Sequence, residues 1–248
     1  MKSPIQCIEF FHLAFLDQFS RKVDKNCFAL KGGCNLRFFL KSIRFSQDID
    51  LDIQTIRKET LQKQVNQILG AKPFQMILRT HGVEIARVSD LKQTQTTQRW
   101  KIQLAQTGSS LPIPTKIEFS RRGMQEDHIL FEPIDPLVIQ PYSLSPIHVN
   151  HYSATAAFQQ KIDALCFRSE TQARDVFDLY HLLSLGSSPP FLRENKAEAQ
   201  AAALSIDFDQ FKDQVLAFLS PEYRAQYQDP PLWNQMVLTV VQALEEAS

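Results

Sequence analysis

The chain has 248 residues, 44% of them hydrophobic, with 27 basic and 27 acidic side chains and no formal net charge. That is enough apolar material to bury a large core in one domain or two smaller ones. No apolar run reaches the roughly 20 residues that cross a bilayer, and the N-terminus, with Glu9, His12 and Asp17 inside its apolar stretch, does not read as a secretory signal, so a soluble cytoplasmic protein is expected.

Residues 4–19 read as a buried helix, apolar on several sides. Phe28-Ala29-Leu30 reads as a short strand running into Gly32-Gly33. A helix from Asn35 to Lys41 follows, and then a strand whose inward face is Ile49, Leu51 and Ile53. Residues 55–70 have helical composition, with Gly70 and Pro73 ending the helix. From Phe74 to Phe131 alternating segments predict strands: Phe74 to Arg79, Gln98 to Leu104 and Thr115 to Ser120. Residues 131–152, rich in Pro, Ser and His, read as an irregular connector. Ser153 to Leu185 and most of 193–247 are predicted helical. The expected organisation is a domain of residues 1–150 followed by a helical domain of residues 151–248.

Charge is distributed unevenly. Residues 1–123 hold 20 Lys and Arg against 10 Asp and Glu, and residues 124–248 hold 7 against 17. The two halves can simply dock on each other, or the basic half can meet a polyanion. The cysteines, Cys7, Cys27, Cys34 and Cys166, have no CxxC spacing, and reduced thiols are expected rather than a zinc site or disulfide frame. The scattered histidines (His12, His81, His128, His148, His151, His181) read as structural or exposed.

The chemistry concentrates in Leu30-Lys-Gly-Gly-Cys-Asn-Leu-Arg37 and Arg44-Phe-Ser-Gln-Asp-Ile-Asp-Leu-Asp-Ile53. A glycine pair opening a helix lets backbone N–H groups approach a phosphate at the positive end of the helix dipole. Alternation puts Asp48, Asp50 and Asp52 on one face of the next strand. Such acids either sit on a solvated edge strand paired with Arg or Lys, or hold divalent metal beside the phosphates. The second arrangement suits nucleotidyl transfer by in-line displacement.

These segments resemble the first motif of the AbiEii-type nucleotidyltransferase toxins, a branch of the polymerase-beta-like superfamily. Lys116-Ile-Glu-Phe-Ser-Arg-Arg122 resembles the family's K-x-E strand. Lys161-Ile-Asp-Ala-Leu-Cys-Phe-Arg168 and Ala173-Arg-Asp-Val-Phe-Asp-Leu-Tyr180 resemble its later helices. The resemblance implies an α+β fold: a polymerase-beta-like nucleotidyltransferase core, with a mixed β-sheet flanked by helices, and a C-terminal helical domain that completes the active site.

It also assigns roles. Asp48 and Asp50 match the metal-binding pair for Mg²⁺ or Mn²⁺, and Gly32 and Gly33 the turn that takes the NTP triphosphate. Lys161 and Asp175 match residues needed for activity, Lys161 by nucleotide binding or transition-state stabilisation. Glu118 is expected either to complete a carboxylate triad or to pair with Arg99 or Arg121. Arg44 and Ser46 are expected to shape the loop into the strand and to lie at the bound nucleotide, Arg44 contacting a phosphate or Asp48. Asp52 lies two residues beyond the metal-binding pair. Asp178 either joins the site or braces the helix pair. Cys34 stands where many relatives have Thr.

The expected activity is transfer of an NMP from an NTP to a hydroxyl of RNA, such as a tRNA 3′ end, or of protein. The family implies the toxin of a bacterial toxin–antitoxin or phage-defence pair, hence a cognate antitoxin as partner. The alternative is a non-catalytic nucleotide- or RNA-binding protein on the same fold.

Overall fold

In the computed structural model, which describes residues 2–187 and 195–247, the apolar N-terminal stretch forms helix α1 (Pro4–Lys22). Its start is fixed locally. Ser3 and Gln6 form a reciprocal capping box, and Pro4 occupies the first turn, where no amide is needed. The chain then follows β1 (Phe28–Lys31), α2 (Gly32–Phe39), β2 (Asp48–Ile53), α3 (Lys58–Gly70), α4 (Lys72–Thr80), β3 (Val83–Gln93), β4 (Thr97–Gln106), β5 (Ile113–Ser120), β6 (Ile129–Pro133), α5 (Pro136–Ile139) and β7 (His148–Tyr152).

All the strands join one mixed, seven-stranded sheet of order β3-β4-β5-β2-β1-β7-β6. The central β2 pairs parallel with β5 and antiparallel with β1, and β1 pairs parallel with β7. One sheet face is apolar: Leu30, Ile49, Leu51, Trp100, Ile102, Ile117 and Phe119 are buried there. Helix α1 packs on that face and against α3 and α4. Its Phe19 ring meets Phe28 edge-on at 4.9 Å and Phe119 at 5.2 Å, contacts that add to the burial of large rings.

Four expectations are corrected here. The segment Phe74 to Arg79 is helix α4, not a strand. Pro73 opens that helix at its first turn instead of ending the previous one. Phe74 and Leu78 are buried one turn apart while Met76 is 64% exposed, so the period is helical, and alternation of Phe, Met and Leu misreads it. Residues 131–152 are not an irregular connector either, because they contain β6, α5 and β7, with β7 lying directly against β1. Helix α2 also ends at Phe39, and Lys41 has φ +57°, outside any helix.

The chain divides into two units: Met1–Phe39 with Phe45–Tyr152, and Leu40–Arg44 with Ser153–Ser248. The second is helical, with α6 (Ala154–Phe167), α7 (Ala173–Ser184), α8 (Lys196–Leu204), α9 (Phe208–Gln214), α10 (Pro221–Tyr227) and α11 (Pro230–Glu246). Residues 193 and 194 of the predicted second helical stretch lie outside the described residues. Trp233 on α11 stacks on Phe211 of α9 at 4.4 Å, and Phe177 of α7 packs beside Phe211. Among the described residues no helix is long and apolar enough to cross a membrane.

Candidate active site

The polar face of the sheet in the first unit carries charge in rows. Asp50 lies in register between Lys31 of β1 and Glu118 of β5, and Asp48 lies beside Lys116. Asp48, Asp50 and Glu118 therefore share one face, as the alternation predicts. Lys116 Nζ lies 2.7 Å from Asp48 Oδ2. Glu118 lies in register with Asp50 and is ion-paired with Arg99, one of the two arginines expected for it. Asp52 is saturated: Lys31 bonds one oxygen and the Tyr152 hydroxyl donates to the other at 2.8 Å.

Asp50 differs from its neighbours. Among the described residues its carboxylate has no hydrogen bond or ion pair. Burial raises its pKa, the charge of Asp48 raises it further, Lys116 and Lys31 partly offset this, and Glu118 adds repulsion. An unpaired carboxylate flanked by two others is an arrangement that a cation stabilises.

The turn over this carboxylate requires glycine. Gly32 has φ +67°, and a Cβ there would lie 3.0 Å from Asp50 Oδ2. Gly32→Ala is expected to cost about 1–2 kcal/mol of stability through the left-handed backbone alone, and to push on Asp50 as well. Thermal unfolding together with a transfer assay checks this, and a Gly32→Ala protein with wild-type stability and activity would contradict it. Helix α2, which begins at Gly32, is anchored from behind. Arg37 Nε donates to Glu9 at 2.7 Å, Tyr142 donates to the other Glu9 oxygen, and the Asn35 amide donates to the Tyr152 carbonyl.

The approach to Asp48 is pinned by a buried relay that the sequence reading missed. Thr115 Oγ1 donates to the Gln47 carbonyl at 2.7 Å and so accepts from His12 Nε2–H at 2.8 Å. Burial drives the His12 pKa down to about 3, which keeps the ring neutral. Ser46 Oγ and Cys34 Sγ both donate to the Asp48 carbonyl, at 2.8 and 3.2 Å. Cys34 thus faces inward and braces β2, and burial pushes its thiol pKa well up. Ser46, expected at the nucleotide, spends its hydroxyl on the same carbonyl. Thr115→Val is expected to destabilise the protein by about 1–3 kcal/mol, because it leaves a buried donor and acceptor unmatched. Chemical denaturation reads this, and an unchanged midpoint would exclude the relay.

The second unit holds its own charge cluster. Lys161 of α6 reaches Asp175 Oδ1 at 2.9 Å and Asp178 Oδ2 at 2.6 Å on α7. Arg44 clamps Asp178 in a two-point pair, Nε to Oδ1 at 3.0 Å and Nη2 to Oδ2 at 2.7 Å. Arg168 approaches Asp175 Oδ2 at 3.3 Å. Arg44, Lys161, Asp175 and Asp178 are all buried. Arg44, for which a phosphate or Asp48 was the expected partner, is held by Asp178, a residue 134 positions away. Burial alone would raise the Asp178 pKa, but Arg44 and Lys161 outweigh it and hold it at about 2.

Among the described residues no cluster of three or more His, Cys, Asp and Glu side chains forms a ready metal cage. The donor set on β2 is instead a pair of carboxylates, Asp48 and Asp50, beside a glycine turn. That set fits Mg²⁺ or Mn²⁺, which bind through one or two carboxylates and complete their shell with substrate phosphates and water.

Comparison with known proteins decides the family. Over residues 14–247 the sequence matches the model for the nucleotidyl transferase AbiEii toxin of type IV toxin–antitoxin systems. The chain belongs to the AbiEii nucleotidyl transferase toxin family. It is a nucleotidyltransferase of a toxin–antitoxin family. In fold it is similar to JHP933 from Helicobacter pylori, with a TM-score of 0.58 at 16% identity over 100% of this chain and 93% of that one. It is also similar to MenT4, a nucleotidyltransferase toxin from Mycobacterium tuberculosis H37Rv, with a TM-score of 0.59 at 18% identity over 96% of this chain and 82% of that one. No curated protein matches the sequence significantly.

Proposed function

We propose that this AbiEii-family protein transfers a nucleoside monophosphate from an NTP to a hydroxyl of RNA, with Mg²⁺ or Mn²⁺ bound by Asp48 and Asp50. The observation that carries this reading is the unpaired Asp50 carboxylate, stacked between Asp48 and Glu118 beneath the Gly32 turn. A divalent ion held there would supply positive charge to the triphosphate and acidify the attacking hydroxyl.

The chain's own groups do the rest. Helix α2 begins at Gly32, and the free amides of such a helix N-terminus would receive the phosphate oxygens. Lys31, held by Asp52, and Lys116, held by Asp48, bring ammonium charge to the same face, where it meets the charge developing on pyrophosphate. The acceptor oxygen bonds to the α-phosphorus, the bond to the β-phosphate oxygen breaks, and pyrophosphate leaves with that electron pair. The acceptor proton passes to a carboxylate or to water.

RNA is favoured over protein as acceptor by the excess of basic side chains in residues 1–123. Its source, a tRNA 3′ end or another RNA, is left to the assay. We further propose that a cognate antitoxin neutralises the enzyme and that the pair acts in phage defence. Lys161 and Asp175 match residues that the family needs for activity, and here they share one buried ion cluster. Lys161→Ala is therefore expected to lower stability as well as transfer, and a thermal midpoint must accompany it.

The test incubates purified protein with each labelled NTP, Mg²⁺ or Mn²⁺, and separately total RNA or total protein. Transfer to RNA that is abolished by chelation and by Asp48→Ala is the expected result. Transfer that survives Asp48→Ala would overturn the assigned site, and no transfer with any NTP would overturn the reading.

A further inference from the structure

The polar sheet face does not end at the carboxylates. The row that begins at Asp52 passes through Ala29 of β1; the parallel Leu30–His151 pair sets Asn150 of β7 one step back, beside Ala29, and Asn150 pairs with Phe131 of β6. Directly paired residues point the same way, so the Phe131 ring stands on the same face as Asp48 and Asp50. It lies three strands from β2, on the order of 14 Å at ordinary strand spacing. The ring is 48% exposed and outside the hydrophobic core. Exposed Lys25 holds its ammonium 4.3 Å from the ring centre, and the exposed His148 ring lies 6.0 Å away. The Lys25 backbone is held in place, because the Asn150 amide donates to its carbonyl at 2.7 Å.

We propose that Phe131, Lys25 and His148 form a stacking platform for a base of a single-stranded nucleic-acid acceptor, leading its terminal hydroxyl toward the carboxylates. This rests on the transferase reading above and specifies its acceptor. The Lys25 ammonium lies over one π-face of the ring, so a base stacks on that face as the lysine turns to the adjoining phosphate. A folded protein acceptor has no comparable need for an exposed ring with a cation over it. The position suits a base a few nucleotides from the reacting end. The excess of basic side chains in residues 1–123 supplies the matching long-range attraction.

The experiment is fluorescence anisotropy of the full-length protein with a short fluorescein-labelled single-stranded RNA, without NTP, across a salt series. Phe131→Ala is expected to weaken binding roughly tenfold, the usual effect of removing one stacked ring, with the salt dependence unchanged. Phe131→Trp should restore it. Lys25→Ala should weaken binding and lower the slope of log affinity against log salt by about 0.7, one phosphate contact on a single strand. Wild-type affinity in Phe131→Ala overturns the platform. So does failure of the wild type to bind RNA. If label is nevertheless transferred to protein in the assay above, the transferase reading stands and only the platform falls.

Discussion

Asp50→Asn is expected to abolish nucleotidyl transfer while leaving the folded protein at least as stable as the wild type. The loss should be at least about 10³-fold, the scale of removing a principal electrostatic group from a reacting centre. Stability should not follow activity down. In the ligand-free protein the Asp50 carboxylate is repelled by Asp48 and Glu118 and has no direct partner among the described residues. Asparagine keeps the shape, removes the charge and relieves the repulsion from Asp48 and Glu118. Label transfer and the thermal midpoint, read on the same preparation, check both halves. A variant that loses activity because its midpoint falls would show that Asp50 is structural.

Asp178→Asn is expected to have the opposite balance in the second unit. It leaves the Arg44 fork and the Lys161 ammonium buried with half their counter-charge removed. Breaking a buried ion pair from one side costs about 3–5 kcal/mol. Urea denaturation measures this, and a loss below about 1 kcal/mol would mean that the cluster is not holding the helices.

The same residue sets an acid limit. Its pKa is about 2 in the folded protein against 3.8 for the ordinary carboxylate, so the group binds its proton more readily when unfolded. Its contribution is therefore complete above about pH 4 and is lost as pH falls toward 2. The difference corresponds to about 2 kcal/mol. Asp178→Asn should flatten that acid decline, which an unfolding series between pH 5 and 2 reads directly.

How much of this was legible depends on the range of the signal. The β2 strand could be read because Asp48-Ile-Asp-Leu-Asp-Ile alternates without interruption and one face of the sheet is fully buried. The Gly32 turn could be read because a positive φ next to a helix start demands glycine. Helix α4 was misread because in so short a segment Phe74, Met76 and Leu78 satisfy a period of two, while Phe74 and Leu78 alone satisfy a helical turn. Strands β6 and β7 were missed because Pro, Ser and His dominate locally, and the pairing with β1 that makes β7 a strand lies far off in the chain.

The site divides along the same line. Asp48, Asp50 and Glu118 follow from alternation and motif. The partners that fix their setting do not, since His12 reaches Thr115 and Tyr152 reaches Asp52 across 103 and 100 residues. Arg44 lies next to the acidic strand in sequence and was assigned to it for that reason. Its partner is Asp178 on α7, a choice made by burial and two-point geometry that no local pattern encodes. All four cysteines are free thiols in the structure, and the brace that Cys34 provides to the Asp48 carbonyl is legible only in the fold.

The central claim is that the Asp48 and Asp50 face catalyses transfer of a nucleoside monophosphate. The most direct measurement incubates wild type and Asp48→Ala with Mg²⁺, total RNA and the same NTP, labelled either on the α- or on the γ-phosphate. The account predicts that wild type passes the α-label to RNA and never the γ-label, and that Asp48→Ala passes neither. Transfer of the γ-label, or α-label transfer that persists in Asp48→Ala, would contradict it.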